Sequence, residues 1–171
     1  NMNLREDKGY TYGARSLFDW RVHERGPFVA TSSVQTAVTA PALVEFLREF
    51  AGMVGQRPVG AEELDFCKAY LTRGYPAVFE TPSQVAGQLE ALVQYRLPDD
   101  YFNTFVPKVK AVTADDVQGV AKKYLDLEHL AAIVVGDRTQ IEPALGKLPI
   151  GKNLTVCRFD EDFRLVPIAG K

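Results

Sequence analysis

The apolar residues of this chain change period twice, and the order of those changes limits the fold more than any other feature. Two β-prone runs come first, at residues 10–16 and 28–34. Between them Asp19-Trp20-Arg21-Val22-His23-Glu24-Arg25-Gly26-Pro27 is polar and closes on Gly-Pro, which predicts the loop of an antiparallel hairpin. Helical spacing then dominates until Leu130, where Ala131-Ala132-Ile133-Val134-Val135 forms a continuous apolar run closed by Gly136-Asp137. That run predicts an interior strand. A further β-prone piece at residues 154–159 precedes the charged Asp160-Glu161-Asp162. Strands, several helices, then strands is a segregated order, so the expected class is α+β: helices packed on a largely antiparallel sheet rather than regular βαβ winding.

The helices announce themselves by stripes and caps. Leu43, Phe46, Leu47, Phe50 and Val54 recur at helical spacing behind Pro41. A second helix starts near Gly60-Ala61-Glu62-Glu63, with acids at the positive end of its dipole, and is expected to bury Leu64, Cys67 and Leu71 before Gly74-Tyr75-Pro76. Thr81-Pro82-Ser83-Gln84 matches a capping box with proline at N1, followed by Val85, Leu89 and Leu92 and stopped by Leu97-Pro98. Tyr101, Phe102, Phe105, Val106 and Val109 predict another helical segment, interrupted or not at Pro107. Thr113-Ala114-Asp115-Asp116 caps a helix whose buried stripe is Val117, Val120, Ala121 and Tyr124, and residues 141–148 suit a short last helix.

Composition narrows the class of partner. The chain has 171 residues, 46% of them apolar, enough for one domain, 1–171, with a core of its own. Charged residues make up 25% and nearly cancel to a net charge of -2, so no overall field draws nucleic acid or an anionic membrane. Protein or peptide is the expected partner. No apolar run approaches the roughly 20 residues that span a bilayer, and the opening Asn1-Met2-Asn3-Leu4-Arg5 lacks the apolar core of a signal peptide. Cys67 and Cys157 have neither metal-ligand spacing nor the number for a disulfide framework.

One segment is distinctive: Leu4-Arg5-Glu6-Asp7-Lys8-Gly9-Tyr10-Thr11-Tyr12-Gly13-Ala14-Arg15-Ser16. It resembles the most recognisable stretch in the second half of the insulinase-like, or M16, zinc peptidases. The likeness continues through Gly26-Pro27-Phe28, Glu62-Glu63-Leu64, Glu80-Thr81, Leu97-Pro98-Asp99-Asp100-Tyr101, Val112-Thr113-Ala114-Asp115-Asp116-Val117 and Val134-Val135-Gly136-Asp137. The resemblance covers roughly residues 4–148 and implies the latter part of a C-terminal, inactive peptidase domain or partner subunit. A domain of that family has a further strand-and-helix unit ahead of the Leu-Arg-Glu segment, so the expected domain lacks its N-terminal portion and has a sheet edge for something else to cover.

In this family two homologous halves enclose a chamber, and zinc is held by the half with a His-x-x-Glu-His helix. Here the two histidines, His23 and His129, have no such companion, and Glu24 follows His23 directly in a predicted hairpin loop. Two imidazoles on one helical face with a carboxylate to activate water are therefore absent from the sequence pattern. The expectation is no catalytic residue and no metal ligand in this chain, with zinc bound by a catalytic M16-like domain or subunit bearing His-x-x-Glu-His.

What the resemblance carries over is an arginine and a tyrosine seven positions apart, here Arg5 and Tyr12. In the family such a pair projects into the chamber and hydrogen-bonds a peptide substrate near the scissile bond. Guanidinium and phenol are both donors, suited to a peptide carbonyl and its developing oxyanion. Tyr10 is a possible auxiliary, because positions 10 and 12 share a face if the strand has already begun. The plain reading stands beside it: Arg5 as a solvated helix-end charge and the tyrosines as ordinary strand residues. The alternative function is a structural or assembly subunit with the same fold and no part in proteolysis.

Overall fold

The computed structural model describes residues 2–22, 24–55, 57–150 and 155–168. The chain is α+β. A π-helical turn, Met2–Asp7, leads into strands β1 (Thr11–Phe18) and β2 (Phe28–Val34), which pair with each other. Helices α1 (Thr39–Val54), α2 (Ala61–Gly74), α3 (Pro82–Gln94), α4 (Tyr101–Ala111), α5 (Ala114–Tyr124) and α6 (Arg138–Leu145) follow, and β3 (Cys157–Phe159) pairs antiparallel with β4 (Leu165–Pro167). By backbone contacts the residues group into two compact units. One comprises the chain up to Arg15, Thr31–Glu45 and the chain from Ala132 onward; the other comprises Ser16–Ala30 and Phe46–Ala131. None of the described helices is long and apolar enough to cross a membrane.

The predicted hairpin is present and antiparallel: Thr11 bonds to Ser33 at one end, and the Asp19 amide donates to the Pro27 carbonyl at the other. Gly26 is required there, since a Cβ would lie 1.6 Å from the Asp19 carbonyl oxygen. Phe28 of β2 packs an edge against Phe50 of α1 at 5.9 Å and meets Phe18 at 5.0 Å, so the Phe50 end of the α1 stripe sits on the hairpin. Trp20 remains 76% exposed, with one edge toward Tyr95.

In the same unit, aromatic rings join α4 to the 3₁₀ turn Tyr75–Phe79 that continues α2. Tyr75 stacks on Phe105 at 4.3 Å, and Phe79 meets Tyr75 and Phe102 edge-on. Pro107 lies inside α4 without ending it. Both capping boxes form: the Thr81 hydroxyl accepts the Gln84 amide, and the Thr113 hydroxyl accepts the Asp116 amide while the Asp116 carboxylate returns to Thr113. Those bonds from the Thr113 hydroxyl and amide hold the Asp116 carboxyl below its ordinary value. Helix ends are also closed from a distance. Lys68 donates to the Lys110 carbonyl at the end of α4, and Gln118 donates to the Val54 carbonyl at the end of α1.

In the other unit the apolar cluster is Ala40, Ile141 and Leu145, with Leu43 and Leu148 against it. Helix α6 starts at Arg138, three residues before the expected start, because Asp137 acts as its N-cap by accepting the Thr139 amide at 2.9 Å.

Three expectations are corrected. No strand forms at 131–135: Ile133 and Val135 are 91% and 90% exposed, and no described strand pairs with the segment. An apolar run becomes a strand only when a neighbour takes up its backbone hydrogen bonds. In α2, Leu64 is half-buried but Cys67 and Leu71 are exposed. The helix is turned so that Lys68 and Thr72 share the inner face with Leu64, which lets Lys68 reach α4. In α3 and α5, Leu89 and Val120 are both 54% exposed and Tyr124 is 63% exposed, leaving Ala121 as the buried residue of α5. The β-prone piece at 154–159 is realised as Cys157–Phe159, with Leu154 outside the described residues, and Asp160-Glu161-Asp162 forms the turn to β4.

Candidate functional site

The segment singled out in the sequence is a turn followed by a strand. Lys8 N–H donates to the Asn3 carbonyl, one residue wider than an α-helical bond, and the turn then closes in two nested rings, Gly9 N–H to Arg5 inside Tyr10 N–H to Leu4. Gly9 takes φ 63°, the left-handed conformation that ends such a turn and that a side chain resists. Strand β1 begins two residues later.

Arg5 lies within the turn, its side chain 55% exposed, with Nε 3.3 Å from the Glu6 carboxylate. That pair is solvated and weak, so the guanidinium keeps donors for another acceptor. Tyr12 is the second residue of β1 and is 99% exposed. Tyr10 precedes the strand and is half-buried. The two tyrosines are therefore not equivalent: the phenol that stands clear is the one seven residues from Arg5.

The backbone under Tyr12 is pinned from both sides in sequence. The Thr11 hydroxyl donates to the Ser33 carbonyl at 2.7 Å and accepts the Gly13 amide at 3.0 Å. Ser32 Oγ lies 2.8 Å from the Thr11 hydroxyl and 3.1 Å from the Gly13 carbonyl, closing a small network across the hairpin. The Gly13 amide and carbonyl are both part of that network. The turn is pinned as well. Leu4 is 4% exposed, and Glu45 of α1, itself 8% exposed, accepts Asn3 Nδ2 at 2.8 Å and pairs with Lys8 Nζ at 3.4 Å. Sequence reasoning passed over Glu45. The available signal was an acid set inside the apolar run Leu43-Val44-Glu45-Phe46-Leu47.

Among the described residues, no three His, Cys, Asp or Glu side chains gather where they would hold a metal ion. His129 is exposed and bonds through Nδ1 to Asp126 at 2.7 Å, a single local pair that also draws the Asp126 carboxyl below its ordinary value. His23 lies outside the described residues. Among the described residues this donor set does not fit zinc. A shallow depression on α6, lined by Arg138, Thr139, Glu142 and Pro143, does not include Arg5, Tyr10 or Tyr12.

With this geometry in hand, comparison with solved structures finds the crystal structure of a peptidase M16 inactive domain from Pseudomonas fluorescens. It superposes with a TM-score of 0.66 and is 26% identical over 74% of this chain. This chain spans 29% of that one. No protein-family model matches the sequence, and no curated protein matches it. The fold is M16-like, of the kind seen in a domain described as inactive.

Proposed function

We propose that this chain is a non-catalytic, substrate-binding part of an M16-like zinc peptidase, supplying Arg5 and Tyr12 to a peptide whose cleavage site is completed by another domain or subunit. The observation that carries this reading is the exposure of Tyr12: a large aromatic residue is 99% in solvent, on a strand whose backbone is hydrogen-bonded on either side of it. A tyrosine without a packing role is suited to a ligand, and its hydroxyl can donate to a peptide carbonyl. The structural likeness to an M16 inactive domain supports the same reading.

Metal, activated water and general base belong to the partner domain or subunit bearing His-x-x-Glu-His. Arg5 and Tyr12 contribute hydrogen bonds that orient the peptide and strengthen as negative charge develops on its carbonyl oxygen. Tyr10, half-buried, acts as a packing neighbour.

A structural or assembly subunit is the second reading, favoured by Phe66 and Tyr70, which stand 72% and 74% exposed one helical turn apart on α2. One experiment separates the two. In the assembled peptidase, Tyr12→Phe and Arg5→Ala are expected to lower peptide turnover, by about a hundredfold where an oxyanion donor is lost, with zinc content unchanged. Unaltered turnover in both variants would leave the assembly reading standing.

A further inference from the structure

We infer that Glu45 is a positioning residue for Arg5, gripping the π-helical turn on both sides of that arginine. The inference rests on the role proposed for Arg5, but its structural half can be tested without it. Glu45 is the buried charged residue among those described, more enclosed than Leu43, Phe46, Leu47 or Phe50 of the same helix. Burying a carboxylate is costly unless hydrogen bonds and charge offset its lost hydration. If packing alone mattered, a leucine or methionine would serve at lower cost.

The partners explain the choice. Oε2 accepts Asn3 Nδ2 at 2.8 Å, and Oε1 faces Lys8 Nζ at 3.4 Å. Asn3 and Lys8 are also the two ends of one backbone bond, Lys8 N–H to Asn3 carbonyl, which encloses Arg5. The carboxylate therefore holds the first and last residues of the ring of backbone in which Arg5 sits. A lone turn has too few internal bonds to persist by itself, and π-helical geometry is the rarer and weaker form. Leu4 anchors it by burial, and Glu45 sets its closure, leaving Arg5 exposed at a defined place.

The test uses Glu45→Met, with Asn3→Ala plus Lys8→Met as a second variant that removes both grips without altering α1. Hydrogen exchange of the Lys8, Gly9 and Tyr10 amides in the full chain should quicken at least about tenfold in either variant, as expected for losing a charge-assisted bond, while α4 amides keep their rates. Glu45→Gln, which still accepts from Asn3, should fall between. In the assembled peptidase, Glu45→Met should lower turnover in wild-type Arg5 but add nothing to Arg5→Ala. Unchanged exchange at the three amides in both variants overturns the grip, and a turnover loss additive with Arg5→Ala overturns the link to Arg5. Should Arg5→Ala itself leave turnover intact, the proposed role of Arg5 fails, and with it the link, while the exchange rates still decide whether Glu45 holds the turn.

Discussion

The Thr11 hydroxyl donates to the Ser33 carbonyl at 2.7 Å, so the residue directly before the exposed Tyr12 is tied to the neighbouring strand. The same oxygen accepts the Gly13 amide. Thr11→Val keeps the shape and strand preference of the side chain but removes both bonds and one of the two partners of Ser32. The expected loss is about 1–2 kcal/mol in urea unfolding, from two bonds at the usual net value. Ser32→Ala should lose less, because Thr11 still reaches Ser33. Equal stability of Thr11→Val and wild type would mean that the network does not support the hairpin.

Tyr75 carries a contradiction that a single substitution resolves. Its ring stacks on Phe105, yet its hydroxyl is buried with no hydrogen-bond partner among the described residues. Burial, then the neighbouring Tyr101, pushes its pKa above the ordinary 10.0. Tyr75→Phe should leave stability unchanged or raise it by up to about 1 kcal/mol, since an unsatisfied polar atom is removed and the stack kept. The unfolded chain ionises this phenol before the folded one does. Wild type should therefore lose stability relative to Tyr75→Phe as pH rises from 10.0 through the raised folded value. Parallel stability curves for the two proteins above pH 10 would remove burial as the cause of the shift.

Helix α5 offers the opposite sign. The Asp116 carboxylate accepts from the Thr113 amide at 2.8 Å and from its hydroxyl at 2.7 Å, and its folded pKa is lowered from 3.8. Its contribution is fully present above the unfolded value and is lost as pH falls through the folded one. Asp116→Asn should thus reduce the melting temperature at neutral pH, with the difference shrinking from about pH 3.8 downward and vanishing below the lowered folded value. A carboxyl resonance of Asp116 titrating at or above 3.8 by NMR would contradict the assignment.

The legible parts of this chain were those whose physics is local. Thr81-Pro82-Ser83-Gln84 and Thr113-Ala114-Asp115-Asp116 satisfy their own orphan amides within four residues, and both form as the pattern requires. The hairpin was legible for the same reason, because Gly26-Pro27 and the flanking β-prone runs carry their own turn chemistry. The spacing of Arg5 and Tyr12 could be read and favoured Tyr12 over Tyr10, but not how differently the two tyrosines are exposed. That difference appeared once β1 was seen to start at Thr11, after the left-handed Gly9, leaving Tyr10 outside the strand.

By itself, then, the sequence determined the α+β order of elements, the capped helix starts and the chemistry that Arg5 and Tyr12 can offer. Tertiary structure alone decided which faces are covered. The run at 131–135 is apolar enough for a strand but has no paired neighbour among the described strands, and the rotation of α2 toward α4 left Lys68 half-buried and Leu71 exposed. It alone also brought Glu45 to Asn3, 42 positions away, and so made an unremarked acid in an apolar helix the clasp of the Arg5 turn. The reason is common to all three: capping and turn formation are settled between near neighbours in sequence, whereas burial, strand pairing and a buried charge's partners depend on what the fold sets opposite them.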